Sequence, residues 1–399
     1  MHRSRAPADD YGDRYPRLWA AGLGDRLRGA HARANARWGY LHAPQGRGRL
    51  IWVKAGASRA SVRLGAELLG AMHERRRDVR LVLTFEAEHP DVIERHLVGL
   101  RRVGVGYGPC DAPHGARRAL ARLDPYALVL VDAPPRHNLP AMAQQRGLHV
   151  AAYNTPVPLE TGRIEACYPV SEEDAARWRA LGTAQYVAPA ADAQCLFTEA
   201  QADTTLRSLA GGPRALDLWW VHGAAGAFTA ELCRRWSRSP LATAGVLFIS
   251  QESPATHPDD LDLPPSISAL DISGWRRTPL APATWVRVDD PRWLPALSAA
   301  CTAAHLERAD RPVLWQALAG GSPLSVARSM YNRFTELREL QDSLQVLESP
   351  EAVLRGWEHC LAAPSEARRR GDAGRRLFWE QRRRAGAVLG EFLQRVFDW

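Results

Sequence analysis

IWVKAGASRAS, residues 51–61, decides how this chain is read. Four residues suit a buried strand, the chain then drops into Gly, Ala and Ser, and a helical pattern follows. A strand, a small-residue loop and a helix in that order are the repeating unit of a parallel α/β sheet. Within the stretch stands Lys54, the only lysine among 52 Lys and Arg residues. In such sheets ligands bind beyond the carboxyl ends of the strands, so a cation at a strand end is a candidate ligand contact.

Working outward, the pattern repeats. LIWVK (50–54), VRLVLTF (79–85), VGVGY (103–107), YALVLVD (126–132) and HVAAYN (149–154) read as strands, with stretches of helical spacing between them. Near-continuous apolar runs joined by helix-length connections imply a parallel sheet covered on both faces. After a looser stretch at 183–214 a second cycle begins. Its expected strands are 216–222, 244–250, 266–273 and 284–290, and its expected helices include 226–236, 291–306 and 324–342. Residues 349–397 read as two helices broken at EARRRGD. The fold class expected is α/β of GT-B type, two Rossmann-like domains whose parallel sheets face a central cleft. The division is an acceptor-side domain at 1–190, a linker at 191–214, a donor-nucleotide domain at 215–350, and C-terminal helices at 351–399 packing back toward the first domain.

Composition narrows the class. With 46% apolar and 24% charged residues the chain has the make-up of a soluble globular protein. No apolar run is long enough to span a bilayer, and the N-terminus lacks a signal-peptide core, which gives a cytoplasmic expectation. Six scattered cysteines without CxxC spacing argue for reduced thiols rather than a zinc site or a disulfide framework. The formal charge is +8, and much of the excess sits in DRLRGAHARANARWG and EARRRGDAGRRLFWEQRRRAG. Trp and Leu among the arginines suit a bilayer surface carrying anionic lipid, or else a solvated helix face. No nucleic-acid motif accompanies the charge.

The ordered motifs resemble the 3-deoxy-D-manno-octulosonic acid (Kdo) transferases. IWVKAGASRAS is similar to that family's opening strand and loop, PCDAP (109–113) to its Pro-Tyr-Asp-Leu-Pro, and VDAPPRHNL (131–139) to its fourth-strand motif. QQRGLHVAAYNTPVP and VSEEDAARWRALG (170–182) follow in family order. The likeness covers roughly residues 45–190. In the second half PVLWQALAGGSPL (312–324) and NRF (332–334) are similar to weaker family segments. The resemblance implies a GT-B glycosyltransferase moving Kdo from CMP-Kdo to lipid A or a related envelope glycolipid, at the inner face of the inner membrane.

The departures bear on mechanism. Ala60 stands where the family carries its catalytic glutamate, and an absent general base costs about 10²–10⁴ in rate. The fourth-strand acidic pair becomes Asp132 and Pro134, the phosphate-site Pro-Arg-His becomes SQE (250–252), and the ribose glutamate becomes Gln316. Asp132 ends an apolar strand, where burial favours the protonated form, so it is the substitute base unless it merely caps a turn. Lys54 is the second candidate catalytic residue, a point charge for a phosphate or carboxylate, or a rim side chain.

Candidate acceptor contacts are Ser58, Ser61, Asn138 and Asn154, with helix capping the competing role for the serines. Donor contacts are His222, Gly223 and Gly226, in a Gly-rich turn into a helix suited to a phosphate, together with Gln316 and Asn332. HPDDLDLP (257–264) contains a DxD-like run, but its prolines and the metal-free character implied by the resemblance argue against a metal, and no cofactor is expected. The expected partners are a nucleotide sugar, CMP-Kdo or another, and an anionic glycolipid. Peripheral contact with the inner membrane is also expected, and nucleic acid is not. The alternative is a catalytically inactive GT-B scaffold serving as a binding or regulatory protein.

Overall fold

A computed structural model describes residues 15–132, 138–155, 163–199, 206, 216–224, 226–250, 268–272 and 280–399. Pro134, SQE beyond Ser250, the 257–264 run and most of the 200–215 connection lie outside them. The chain divides into two compact units: residues 1–193 with 384–399, and residues 194–383.

In the first unit the strands are β1 (Leu50–Ala55), β2 (Arg80–Phe85), β3 (Val103–Tyr107), β4 (Ala127–Val131), β5 (His149–Tyr153), β6 (Ile164–Tyr168) and β7 (Ala184–Val187). They form one sheet in the order β3-β2-β1-β4-β5-β6-β7, with parallel pairing throughout. β1 and β4 are buried along their whole length, as the apolar runs require of strands covered on both faces. Trp52 of β1 lies wholly inside and gives its indole N–H to Thr84 Oγ1 of β2 at 2.8 Å. Leu120, Leu128, Leu139, Val150 and Trp178 belong to the same core.

The second unit carries β8 (Asp217–His222), β9 (Gly245–Ser250), β10 (Ser268–Asp271), β11 (Thr284–Val288), β12 (Ala303–Leu306), β13 (Leu324–Val326) and β14 (Gln345–Val346). Their order is β10-β11-β9-β8-β12-β13-β14, again parallel. Trp219 stacks on Trp357 with centroids 5.2 Å apart, inside a core shared with Leu232, Trp236 and Val353.

Several expected elements change. The stretch 291–306, read as one helix, is a short turn, the helix Leu294–Ala300 and then β12. Cys301, in an extended conformation, ends the helix, and the four buried residues that follow pair with β8 and β13. Read as helix, 324–342 contains β13, the helix Arg328–Arg333 and a 3₁₀ stretch. β6, β7 and β14 carry no expectation from the sequence because each is short and bounded by polar residues. At the C-terminus the break falls at Ala363, ahead of Pro364, and not at EARRRGD. Proline begins a helix readily but cannot continue one. Arg370, inside EARRRGD, is instead buried, and its guanidinium donates to the Ser343 and Leu324 carbonyls.

Candidate functional site

The strand order switches sides between β1 and β4 in the first unit and between β8 and β12 in the second, where the edge strand β10 also precedes its inner neighbour β11 in the chain. Such switch points open a crevice at the carboxyl ends of the strands. Lys54, Asp132 and Asn154 stand at or beside the first of these places and His222 and Gly223 at the second. Gln316 and Asn332 lie on helices, and each residue is taken within its own unit.

In the first unit Lys54 is the penultimate residue of β1, paired in register with Thr84 of β2 and Leu130 of β4. Its side chain is 10% exposed, and its Nζ lies 3.2 Å from Glu86 Oε1 on a carboxylate 31% exposed. A nearly buried ammonium thus meets a carboxylate that still reaches solvent. Sequence reasoning missed Glu86; the signal was present, because Glu86 directly follows an apolar strand. After Ala55 the chain turns through Gly56 and Ala57 into the helix Arg59–Arg75. Ser58 Oγ caps that helix by accepting from Ser61 N at 3.0 Å. Ser61 Oγ accepts from Gly56 N at 2.6 Å and donates to Val131 O at 3.2 Å, which ties the loop to the end of β4. Both serines therefore serve the turn, and Ser61 spends its only hydroxyl proton there.

Asp132 follows β4 with a left-handed φ of 48°, and Asn154 follows β5 with φ 52°. Non-glycine residues seldom adopt this conformation, and here two stand on neighbouring strand ends. Their backbones continue the ladder, Asp132 N to Tyr153 O and Asn154 N to Tyr168 O. Asn154 Nδ2 donates to Asp132 Oδ1 at 3.4 Å, while its Oδ1 accepts from Ala193 N at 2.8 Å. The carboxylate is half-buried and the amide fully so. Asn138 opens the helix Asn138–Gln145 and is buried against Asp111, giving its Nδ2 hydrogen to the Asp111 carbonyl. The Asp111 carboxylate receives the N–H groups of Asn138 and Leu139. PCDAP therefore supplies an anionic cap to the helix Asn138–Gln145.

In the second unit His222 ends β8, 3% exposed. Its Nδ1 lies 2.8 Å from Ser250 Oγ, which also accepts the Trp220 indole N–H at 2.8 Å. With the Ser250 hydroxyl as donor to Nδ1 the ring hydrogen sits on Nε2; the second lone pair of the serine oxygen equally allows the opposite tautomer. Among the described residues Nε2 has no partner. Burial pushes the imidazole down to about 4, so it is neutral at pH 7.

Gly223 follows with φ 70°, and a Cβ there would lie 1.7 Å from Arg308 O, so glycine lets the turn after β8 approach the turn after β12. Gly226 starts the helix Gly226–Trp236. Its residue Phe228 stacks on His305, whose Nε2 is 3.1 Å from Glu307 Oε2. His305 and Glu307 were invisible to sequence reasoning because β12 was taken for helix. Gln316, in the helix Arg311–Gly320, gives both amide hydrogens to the interior, at Glu199 O (2.9 Å) and Ser298 Oγ (3.1 Å). Asn332 is exposed on a short helix apart from these contacts. Among the described residues no three His, Cys, Asp or Glu side chains converge as a metal site would need.

Two parallel α/β units in tandem, each with its ligand-competent strand ends, define the GT-B class. The solved structures similar to this chain fit that class. A Staphylococcus aureus MnaA–UDP co-structure aligns at TM-score 0.55 and 9% identity, covering 82% of this chain and 91% of that one. A UGT transferase from Siraitia grosvenorii in complex with UDP gives 0.55 and 10%, covering 88% and 100%. The Neisseria meningitidis UDP-GlcNAc 2-epimerase bound to UDP-GlcNAc gives 0.55 and 9%, covering 87% and 100%. At such identities the likeness is one of fold. Residues 32–157, which span β1 to just beyond β5, match the family model of 3-deoxy-D-manno-octulosonic-acid transferase (kdotransferase). No curated protein matches the chain.

Proposed function

We propose that the protein is a glycosyltransferase of the Kdo-transferase type, taking a sugar from a nucleotide donor to an anionic glycolipid acceptor at a membrane surface. The observation that carries this reading is the family match over residues 32–157, which falls on the unit holding Lys54, Glu86, Asp132 and Asn154 at its switch point. CMP-Kdo and a lipid A precursor are the first substrates to try by resemblance. UDP sugars come next, because similar structures hold UDP.

In this reading the second unit binds the nucleotide. The unpartnered His222 Nε2–H and the turn through Gly223 into the helix Gly226–Trp236 face the leaving phosphate, where a neutral donor and a helix N-terminus both favour negative charge. In the first unit the acceptor hydroxyl attacks the anomeric carbon, and its proton passes to Asp132, the carboxylate oriented by Asn154. The anomeric carbon–oxygen bond to phosphate breaks, and the nucleotide leaves with the negative charge. Lys54, neutralised in part by Glu86, holds the acceptor's anionic group.

Calorimetry with CMP, CMP-Kdo and UDP sugars, followed by transfer to lipid A precursor, tests the reading. Asp132→Asn should lower turnover by about 10²–10⁴ with nucleotide affinity unchanged. If Glu86→Gln does this and Asp132→Asn does not, the base is Glu86. Absence of binding by every nucleotide and nucleotide sugar would refute the proposal. The second reading, an inactive scaffold, draws on Ala60 and on Gln316, whose amide hydrogens are committed inside the fold.

A further inference from the structure

The final helix, Pro364–Asp398, carries a surface that the sugar-transfer chemistry does not use. Over 364–383 its inner side is anchored in the second unit: Arg370, Leu377, Phe378 and Gln381 are buried. On the outer side Arg368, Arg369, Arg376 and Arg383 are exposed, and among the described residues none makes an ion pair or hydrogen bond. Their spacing follows the helical repeat, so they form one stripe about 22 Å long at 1.5 Å per residue. Trp379 projects from the middle of that stripe, 50% exposed, while the other large exposed apolar side chains among the described residues are Leu, Val and Tyr. Together with Asp372, Arg375 and Glu380, some of these side chains line a recess of about 390 Å³. Arg375 is held by the Gly320 carbonyl at 2.7 Å.

Four unpaired guanidinium groups around a half-exposed indole make an unusual surface to leave in water. Arginine keeps its charge at every physiological pH and bonds phosphate in a forked geometry. Tryptophan is amphipathic and settles at the headgroup level of a bilayer. We infer that this face of the helix docks on a membrane surface rich in anionic phospholipid, the phosphates taking Arg368, Arg369, Arg376 and Arg383 and the indole entering the headgroup layer. The complementary charge selects an anionic partner. The choice of lipid among polyanions rests on the glycolipid reading above. Asp372 and Glu380 within the stripe make the contact dependent on a dense anionic surface rather than a single phosphate.

The test is sedimentation of the full chain with vesicles of phosphatidylcholine containing 30% phosphatidylglycerol, against vesicles of phosphatidylcholine alone. The wild type should partition at least about tenfold better onto the anionic vesicles and lose most of that binding at high salt. The triple variant Arg369→Glu, Arg376→Glu, Arg383→Glu should lose the preference. Quenching of tryptophan emission by brominated lipid should largely vanish in Trp379→Phe. Equal binding to neutral vesicles would overturn the inference, as would a triple variant that still binds like the wild type, or a single-stranded oligonucleotide that outcompetes the vesicles. Circular dichroism confirms that the variants are folded. Nucleotide calorimetry on the same proteins separates the two proposals: vesicle binding without any nucleotide binding sinks the transfer reading alone.

Discussion

Lys54 and Glu86 show how unequal the halves of one ion pair can be. The ammonium is nearly enclosed, whereas water still reaches the carboxylate. Removing the carboxylate strands a buried charge, while removing the lysine leaves an anion that water can solvate. Glu86→Gln should therefore cost about 1–3 kcal/mol and Lys54→Met about 0–1 kcal/mol, read from urea denaturation midpoints at constant m-value. His222 supplies a pH dependence. Its folded pKa of about 4 lies below the ordinary value of 6.5, so above pH 6.5 neither state binds the proton and no penalty exists. As pH falls from 6.5 toward 4 the unfolded chain takes up the proton first, and stability falls by up to about 3 kcal/mol. His222→Gln should flatten that part of the stability–pH curve; an unchanged slope would place the effect elsewhere.

At the scale of elements, Gly223 is the sharpest constraint. Any Cβ at its positive φ would strike the Arg308 carbonyl, so Gly223→Ala should cost more than about 2 kcal/mol and, on the proposed donor-site reading, lower nucleotide affinity together with stability. A variant with wild-type melting would contradict this packing. How far such elements could be read in advance depended on their length and contrast. The strand Leu50–Ala55 was legible because five of its six residues are apolar and a loop of small residues follows. β12 was hidden because Ala303–Leu306 continues the alanine-rich composition of the helix before it, and four residues carry too little periodicity to separate strand from helix. EARRRGD looked like a break because its charge is high, yet Arg370 turns inward and finds carbonyl partners that no local pattern could reveal. Of the candidate residues, the strand-end polar groups were legible from position alone. Their partners Glu86, for Lys54, and Ser250, for His222, stand at the ends of neighbouring strands, and those pairings required the fold.

At the scale of the whole molecule, the last helix belongs to both units, residues 364–383 to the second and 384–399 to the first. Within the first unit Phe392 is wholly buried between Tyr153 and Tyr168, with centroids 4.6 and 5.0 Å away. Glu391 accepts from the hydroxyls of Tyr168 and Tyr186, and Trp399 stacks on His149. Phe392→Ala should cost about 3–5 kcal/mol, measured as destabilisation of the first unit in calorimetry, with the second unit's transition unmoved. Because these residues follow both sheets in the chain, a growing polypeptide cannot finish its N-terminal lobe until synthesis has passed the C-terminal one. The tyrosine surface of β5 and β6 must wait uncovered through that interval, exposed to chaperones and to other nascent chains, and the order of translation is the reverse of the order in which the first lobe is sealed.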